Sequence, residues 1–288
     1  MRKSITMVAI CLLASMALTS CGQKSPFPGY QPTGTGLYYK QIVKGDGPQV
    51  NKDEVIQVNL AYYINDSLLY ATSTLPEPVY DLCHESVFQG DLYEGFSMMH
   101  VGDSMSFMIK ADSVYTKYFR APVIPSFVTP EAYTRWEVKI EKAMTQDEFQ
   151  QQREAEMAMK QQQSKDDFAA YLAENGITAQ PLESGLIYVR TKAGKGPKAT
   201  AGKTVKVHYT GRLLDGTVFD SSEGGDPIEF VLGNHMVIAG WDEGIALMSK
   251  GEKGVLYIPS ELAYGPRQMG MIPPFSNLIF DVELVEFK

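Results

Sequence analysis

The sequence has little cysteine and too little positive charge for several classes of protein. Only 3 of its 288 residues are Cys, too few for a disulfide scaffold or a four-cysteine zinc site. Acidic residues outnumber basic ones by 34 to 26, and a net charge of -8 argues against a nucleic-acid partner. The four His lack metal-ligand spacing, so we predict no metal site. Composition therefore excludes these classes, while the length suits two globular domains.

Long hydrophobic runs are also absent, apart from one near the N-terminus. The apolar run from Ile5 to Leu18 follows Arg2 and Lys3 and is shorter than the roughly 20 residues of a membrane span. This pattern predicts a secretory signal peptide over residues 1–20. The segment ends in Leu-Thr-Ser-Cys, which is similar to the bacterial lipobox and implies that Cys21 is lipidated. An ordinary signal peptide with an incidental Cys is the alternative.

Removal of this leader changes the charge and the thiol count. Without Arg2 and Lys3 the balance is 24 basic to 34 acidic residues, or -10, and Cys83 is the one unmodified thiol. Residues 21–35 are rich in Pro, Gly, Ser and Thr and predict a flexible tether. We therefore expect a protein of the cell envelope, attached to the membrane through lipid. The absence of an acidic run after Cys21 is compatible with periplasmic facing.

Two strand-rich regions flank a helical one. Residues 36–144 and 182–288 are rich in β-branched and aromatic residues broken by turn signals. Residues 145–181 predict a helical linker, because Thr145 and Glu148 form a capping box and Gly176 marks a stop. Phe168 and Leu172 lie on one face of this helix, which predicts either a spacer with one packed face or an arm for dimerisation or chaperoning. The fold class is α+β, with a short helix packed on an antiparallel sheet.

The C-terminal region carries a series of motifs in a fixed order. They lie at residues 207–211, 215–222, 230–233, 237–244, 263–265, 272–274 and 280–284, and include VHYTG, VIAGWDEG and AYG. Together they resemble the FKBP-type peptidyl-prolyl isomerases over residues 182–288. The resemblance implies a half-barrel sheet wrapped on a short helix, and a pocket for a proline-containing polypeptide.

The resemblance also assigns the residues of that pocket. It implies a catalytic set of Asp220, Tyr264, Ile238 and Trp241, with Trp241 as the floor and the Ile238 N–H as a donor. The apolar, substrate-binding set would be Tyr209, Phe219, Ile228, Val237, Ile272 and Phe280. Rotation about an X–Pro bond needs no nucleophile, metal or proton transfer to a leaving group, so no cofactor is expected.

The first region repeats this order with an altered pocket. The repeat places Leu60 opposite Tyr209, Tyr70 opposite Phe219, and Ala71 opposite Asp220. It also places Gln89 opposite Ile238 and Leu92 opposite Trp241. We therefore predict a degenerate FKBP-like domain without isomerase activity over residues 36–144. Whether it is a spacer, a dimerisation surface or a substrate-holding surface stays open.

The function predicted from these observations is a peptidyl-prolyl cis-trans isomerase that assists folding of exported envelope proteins. The alternatives are a non-catalytic peptide-binding chaperone and a structural envelope lipoprotein. Proline-containing client chains are the expected partners. A homodimer through the linker helix or the N-terminal domain stays an open hypothesis.

Overall fold

The computed structural model describes residues 24–288, in which the chain divides between Gln150 and Gln151 into two compact units. The predicted signal peptide and the lipidation of Cys21 lie outside the described residues. Among residues 24–288, no helix combines the length and the hydropathy needed to cross a bilayer.

The first unit is an antiparallel sheet with a short helix packed on it. Its strands are β1 (Gln31–Pro32), β2 (Tyr38–Val43), β3 (Val55–Ile64), β4 (Ser67–Ala71), β5 (Val79–Leu82), β6 (Ser104–Lys110) and β7 (Tyr133–Met144). Its helices are α1 (Leu92–Ser97) and the short α2 (Ala111–Ser113), which continues into a turn over Val114–Tyr118. The strand order is β1-β2-β6-β7-β3-β4, and β5 pairs with β3. Alternate residues such as Met105, Phe107 and Ile109 face a core that includes Phe96.

The start of the described chain is docked on this sheet. The Phe27 ring lies 4.8 Å from the Tyr133 ring and 5.1 Å from the Tyr38 ring. Tyr30 shares a 2.7 Å hydrogen bond with Ser106, and β1 pairs with β2. The prediction of a flexible tether over residues 21–35 is therefore wrong for its later part, because aromatic packing holds a segment whose composition is typical of a linker.

A single helix, α3 (Gln146–Glu174), follows the first sheet. Its start has the predicted capping box, since Thr145 N–H donates to Glu148 and Glu148 N–H donates to the Thr145 hydroxyl. It ends before Gly176, whose φ of +64° suits a glycine at a helix terminus.

Residues 145–181 were predicted as a linker between the two domains, but most of this segment packs on the second unit. Phe168 of α3 is buried against Ile187, Tyr257 and Ile279, and Tyr171 and Leu172 pack beside it. The helix therefore belongs to the second unit from residue 151 onward, which confirms the interpretation of one packed face.

The second unit repeats the architecture of the first. Its strands are β8 (Ile187–Lys192), β9 (Lys195–Lys198), β10 (Thr204–Leu213), β11 (Val218–Ser221), β12 (Ile228–Val231), β13 (Ser249–Lys250), β14 (Lys253–Ile258) and β15 (Leu278–Phe287). Its short helix is α4 (Ala239–Ala246), and a 3₁₀ turn covers Ser260–Leu262. The strand order is β11-β10-β15-β14-β8, with β12 on β10. Leu278, Phe280 and Val282 face the core, while Ile279 faces α3.

The two sheets can be superposed by register. In both, the long central strand has a bulge immediately before a valine, Val58 in β3 and Val207 in β10. Val58 pairs with Ile140, and Val207 pairs with Leu284. Residues at the same distance from these two valines in β3 and β10 occupy equivalent positions, and so do the residues with which they pair on neighbouring strands. The predicted α+β class, with a short helix on each antiparallel sheet, is confirmed.

Candidate active site

Helix α4 lies unusually close to the second sheet because two glycines face the strand beneath it. A Cβ at Gly240 would lie 2.5 Å from the side chain of Ile258, and a Cβ at Gly244 would lie 2.5 Å from that of Leu256. Real side chains do not tolerate such contacts, so the pair allows the helix to rest directly on β14. This packing fixes the position of Trp241 at the first turn.

Trp241 is the centre of an aromatic cluster. Only 4% of its surface is exposed, and its ring lies 5.0 Å from Tyr209, 5.2 Å from Phe280 and 5.8 Å from Phe230. Phe219 in turn lies 5.6 Å from Phe280, edge to face. Such edge-to-face pairs are favourable beyond the area they bury. The structure thus brings four of the predicted aromatic pocket residues together.

Gly211 makes room for these rings and was not singled out from the sequence. It pairs with Phe280 across β10 and β15, and a Cβ there would lie 2.6 Å from Phe280 and 2.7 Å from Phe219. A glycine inside a strand is itself a signal of close approach. Phe230, the residue of β12 that reaches Trp241, was likewise not assigned.

Tyr209 and Asp220 form a fixed pair at the edge of the cluster. The Tyr209 hydroxyl donates a 2.6 Å hydrogen bond to Asp220 Oδ2, and Asp220 Oδ1 accepts from the Ser221 N–H. Burial, and then the neighbouring Asp220 carboxylate, raises the pKa of Tyr209 to about 12, because both disfavour the phenolate. Tyr209 is therefore a neutral donor at physiological pH and is held in one orientation.

Two candidate donors border the same cluster. Ile238 precedes α4, and its carbonyl accepts from the N–H groups of Trp241 and Asp242. Within residues 24–288, the Ile238 N–H itself has no acceptor. Tyr264 follows the turn Ser260–Leu262 and packs against the cluster, half-buried. Backbone and phenol donors therefore lie beside an apolar floor.

The remaining predicted residues occupy the wall and the mouth. Ile272 is 5% exposed and packs in the cluster with the half-buried Val237. Ile228 is 36% exposed and lies two residues before Phe230, on the same side of β12. Its substrate contact stays a prediction, since it does not pack in the cluster.

The equivalent space in the first unit is filled. Tyr62 takes the position of Gly211, stacks on Trp136 at 4.6 Å and donates a 3.0 Å hydrogen bond to the Tyr115 hydroxyl. Trp136 and Tyr115 are the equivalents of Phe280 and Tyr264. Tyr62 is 6% exposed, so its buried ring fills the space that has no side chain at the equivalent Gly211 of the second unit.

One part of the predicted repeat is wrong by one residue. Tyr70 pairs with Tyr62 as Asp220 pairs with Gly211, so Tyr70 is the equivalent of Asp220 and Leu69 that of Phe219. The hydroxyls of Thr72 and Ser222 confirm this register, since they accept from the N–H groups of Leu60 and Tyr209. Both pairings have the same bulge, but the hairpin turn is one residue shorter in the first unit: four residues separate Tyr63 from Leu68, and five separate Arg212 from Val218.

The opposite face of the second sheet has a different character. A cavity of about 500 Å³ there is lined largely by polar and charged side chains that include His208, Lys253, Asp281 and Glu283. Its lining includes Tyr209 but neither Trp241 nor Phe280. Among the described residues, no group of three His, Cys, Asp or Glu is placed to hold a metal ion.

Comparisons with known proteins agree with this geometry. The family model described as FKBP-type peptidyl-prolyl cis-trans isomerase matches residues 196–285. The chain is 61% identical over 94 residues to the peptidyl-prolyl cis-trans isomerase FPR2 of Saccharomyces cerevisiae, which covers 32% of this chain and 70% of that protein. It is 38% identical over 196 residues to a probable FKBP-type peptidyl-prolyl cis-trans isomerase of Haemophilus influenzae, which covers 65% of this chain and 80% of that one.

Among solved structures, the crystal structure of FkpA from Escherichia coli is similar at 34% identity, with 50% of this chain and 74% of that chain covered and a TM-score of 0.42. The residues matched by the family model, 196–285, lie within the second unit and include Trp241 and the aromatic cluster around it. The protein therefore belongs to the FKBP-type peptidyl-prolyl cis-trans isomerases.

Proposed function

We propose that rotation about the X–Pro bond takes place over Trp241, and that the clients are exported proteins of the cell envelope. The buried aromatic cluster of Trp241, Tyr209 and Phe280 carries this proposal. A prolyl ring of a client chain packs on the indole, while Phe219, Val237 and Ile272 exclude water around it. The free energy of binding comes from apolar burial, at about 25 cal/mol per Å².

The pocket accelerates rotation by favouring the twisted amide over the planar one. The barrier of about 18–20 kcal/mol comes from resonance, which moves charge from nitrogen to oxygen in the planar state. An apolar environment solvates that dipolar planar state poorly and the less polar twisted state better. Each tenfold increase in rate needs about 1.4 kcal/mol of such differential binding.

The donors at the rim hold the acyl side while the ring turns. The Ile238 N–H has no other acceptor in the described chain and is available to the carbonyl of the bound peptide. The Tyr264 hydroxyl is the second donor. Asp220 fixes the orientation of Tyr209 and does not act as a general base, since no proton is transferred in the reaction.

The first unit is an FKBP-like domain without isomerase activity in this proposal. Its strand order matches that of the second unit, while Tyr62 fills the pocket position and Leu92 replaces the indole floor. Its surface suggests a second role. The apolar side chains of Leu68, Leu69 and Tyr70 on β4 are each at least 43% exposed, which favours holding of unfolded client segments.

Lipid on Cys21 would place the first unit close to a membrane. Docking begins at Phe27, six residues after Cys21, so the intervening chain reaches about 20 Å at most. A Cys21→Ala variant should move the protein from the membrane fraction to the soluble one. A Cys83→Ala variant is the matched control, since Cys83 is a buried thiol of the core. Retention of the Cys21→Ala variant in the membrane fraction would contradict lipid anchoring through Cys21.

A refolding assay separates catalysis from holding. With a client whose refolding is limited by a proline, Asp220→Ala in the full chain should slow the proline-limited phase and leave the final yield unchanged. Leu69→Ser should lower the yield and leave the rate unchanged. If Asp220→Ala leaves the proline-limited phase at its original rate, Asp220 has no part in the site.

A further inference from the structure

Three buried polar side chains connect helix α3 to the loop that carries Tyr264. Ser164 lies on α3, Ser260 begins the turn after β14, and Asn277 precedes β15. Their exposed fractions are 6%, 1% and 5%. Polar groups at such depth are stable only when hydrogen-bonded, so their partners define a specific network.

Each member of the network is bonded to the other two. The Ser164 hydroxyl donates to Ser260 Oγ at 3.0 Å. Asn277 Oδ1 accepts from the Ser260 N–H at 2.9 Å, and Asn277 Nδ2 donates to the Ser164 carbonyl at 2.7 Å. One orientation of the amide satisfies both of these bonds, since one partner is a donor and the other an acceptor. The linker helix and the turn are therefore joined twice, directly by the two serine hydroxyls and again through the Asn277 amide.

The turn passes this constraint to Tyr264. The Ser260 carbonyl accepts from the N–H groups of Ala263 and Gly265, the two residues that flank Tyr264. The Gly265 carbonyl in turn accepts from the Phe275 N–H at 2.7 Å. The position of Tyr264 thus depends on Ser260, which is held by the helix and by Asn277.

The unit with the filled pocket lacks this network. Its equivalents of Ser260 and Asn277 are Ala111 and Tyr133, which cannot form the same bonds. The Ala111 N–H donates to the Ala132 carbonyl instead. The network therefore accompanies the open pocket within this one chain.

We infer that helix α3 is a positioning element of the isomerase, which holds the Tyr264 hydroxyl at the bound carbonyl through Ser164, Ser260 and Asn277. The inference rests on the proposed role of Tyr264 as a donor. Ser164 and Asn277 do not touch the substrate and act only through the loop. The segment predicted as a linker is thereby part of the catalytic apparatus.

A double-mutant cycle on the full chain tests this. The variants Asn277→Ala and Ser164→Ala are made in the natural chain and in a Tyr264→Phe background, and kcat and KM are measured on an X–Pro peptide. We expect kcat to fall about tenfold for Asn277→Ala and about threefold for Ser164→Ala, with KM unchanged, because a displaced donor weakens transition-state contacts. In the Tyr264→Phe background the further loss should be below about twofold, because the group they position is gone.

Tyr188→Phe is the control for the double-mutant cycle. Tyr188→Phe removes another part-buried hydrogen bond of the unit, 2.8 Å to Glu252, and should leave kcat unchanged in both backgrounds. Ser164→Ala removes one hydroxyl and keeps the cycle usable if Asn277→Ala fails to fold. Equal losses in both backgrounds, or no loss in either, would overturn the inference. Full activity of Tyr264→Phe alone would remove the donor role of Tyr264, and this inference with it.

Discussion

The two units share one strand order but use the space above the short helix in opposite ways. In the second unit Gly211 leaves room for the rings of Phe219 and Phe280, and Trp241 forms the floor of that cluster. In the first, Tyr62 fills it and stacks on Trp136, while Leu92 takes the floor position. The comparison teaches that a sheet can keep its fold while a few side chains, at the positions of Gly211 and Trp241 among them, change the space above the helix.

The polar groups differ in the same way. The Tyr209 hydroxyl of the second unit is held by Asp220 at the pocket edge. In the first unit the equivalents are Leu60 and Tyr70, and the hydroxyl pair of Tyr62 and Tyr115 is buried inside. The partly exposed Tyr209 hydroxyl of the second unit thus has its counterpart in a hydroxyl pair that is buried in the first.

The largest expected effect comes from replacing Trp241 with leucine, the residue type at the equivalent position of the first unit. Trp241→Leu should lower kcat/KM about a hundredfold, because Leu cannot offer a flat ring to the proline. The matched variant Leu92→Ala should destabilise the first unit by about 2–5 kcal/mol and leave kcat/KM unchanged. A protease-coupled assay and denaturant unfolding measure the two quantities. A fall in kcat/KM for Leu92→Ala would break the comparison.

A smaller loss of kcat/KM is expected when a side chain is added at Gly211, beside the aromatic cluster. Gly211→Ala should lower kcat/KM about tenfold, because its Cβ would displace Phe219 and Phe280. Gly225→Ala is the control, since the nearest atom to a Cβ there is 3.8 Å away. If Gly211→Ala has the activity of the natural chain, the opening is not set at this position.

The pH dependence of stability should distinguish Tyr209 from an ordinary surface tyrosine. Its pKa is raised from 10 to about 12 in the folded chain, so the unfolded state loses its proton first. This contribution to stability is complete below pH 10 and is lost as the pH rises toward 12. Unfolding measured across that range should show a shallower decline for Tyr209→Phe. An identical slope in the two proteins would contradict the assigned environment.

The smallest expected effect is on the stability of the first unit, at Tyr62. Tyr62→Phe removes the hydrogen bond to Tyr115 and keeps the ring, so the first unit should lose about 1 kcal/mol of unfolding free energy. The isomerase rate should stay unchanged. Denaturant unfolding followed in the first unit measures the loss, and a change in rate would show that this unit takes part in catalysis.

Much of the second unit could be predicted from the sequence because its signals are local. The β-branched and aromatic content of residues 182–288 predicted a strand-rich region, and the resemblance carried by the ordered motifs placed Tyr209, Trp241 and Phe280 in one pocket. The helix face of Phe168 and Leu172 was visible as well. Its partners Ile187, Tyr257 and Ile279 were not, since an outward-facing apolar residue in a strand does not reveal what covers it.

Other features depend on distant pairings. Asn277 lies in a loop without any local pattern, and its role appears only when Ser164 and Ser260 meet it. Phe27 lies in a segment of linker composition and docks because Tyr38 and Tyr133 form a site for it. The hairpin turn before Tyr70 is one residue shorter than the turn before Asp220, so a comparison of the repeats at a constant spacing misplaces Tyr70 by one residue.

An amide NMR titration of the full chain with an X–Pro peptide tests most directly that the open pocket lies in one unit. We predict that the shifts concentrate at Tyr209, Asp220, Ile238 and Tyr264, with the amides of Tyr62, Tyr115 and Trp136 unmoved. Comparable shifts at Tyr62 and Tyr115, or none around Trp241, would contradict it.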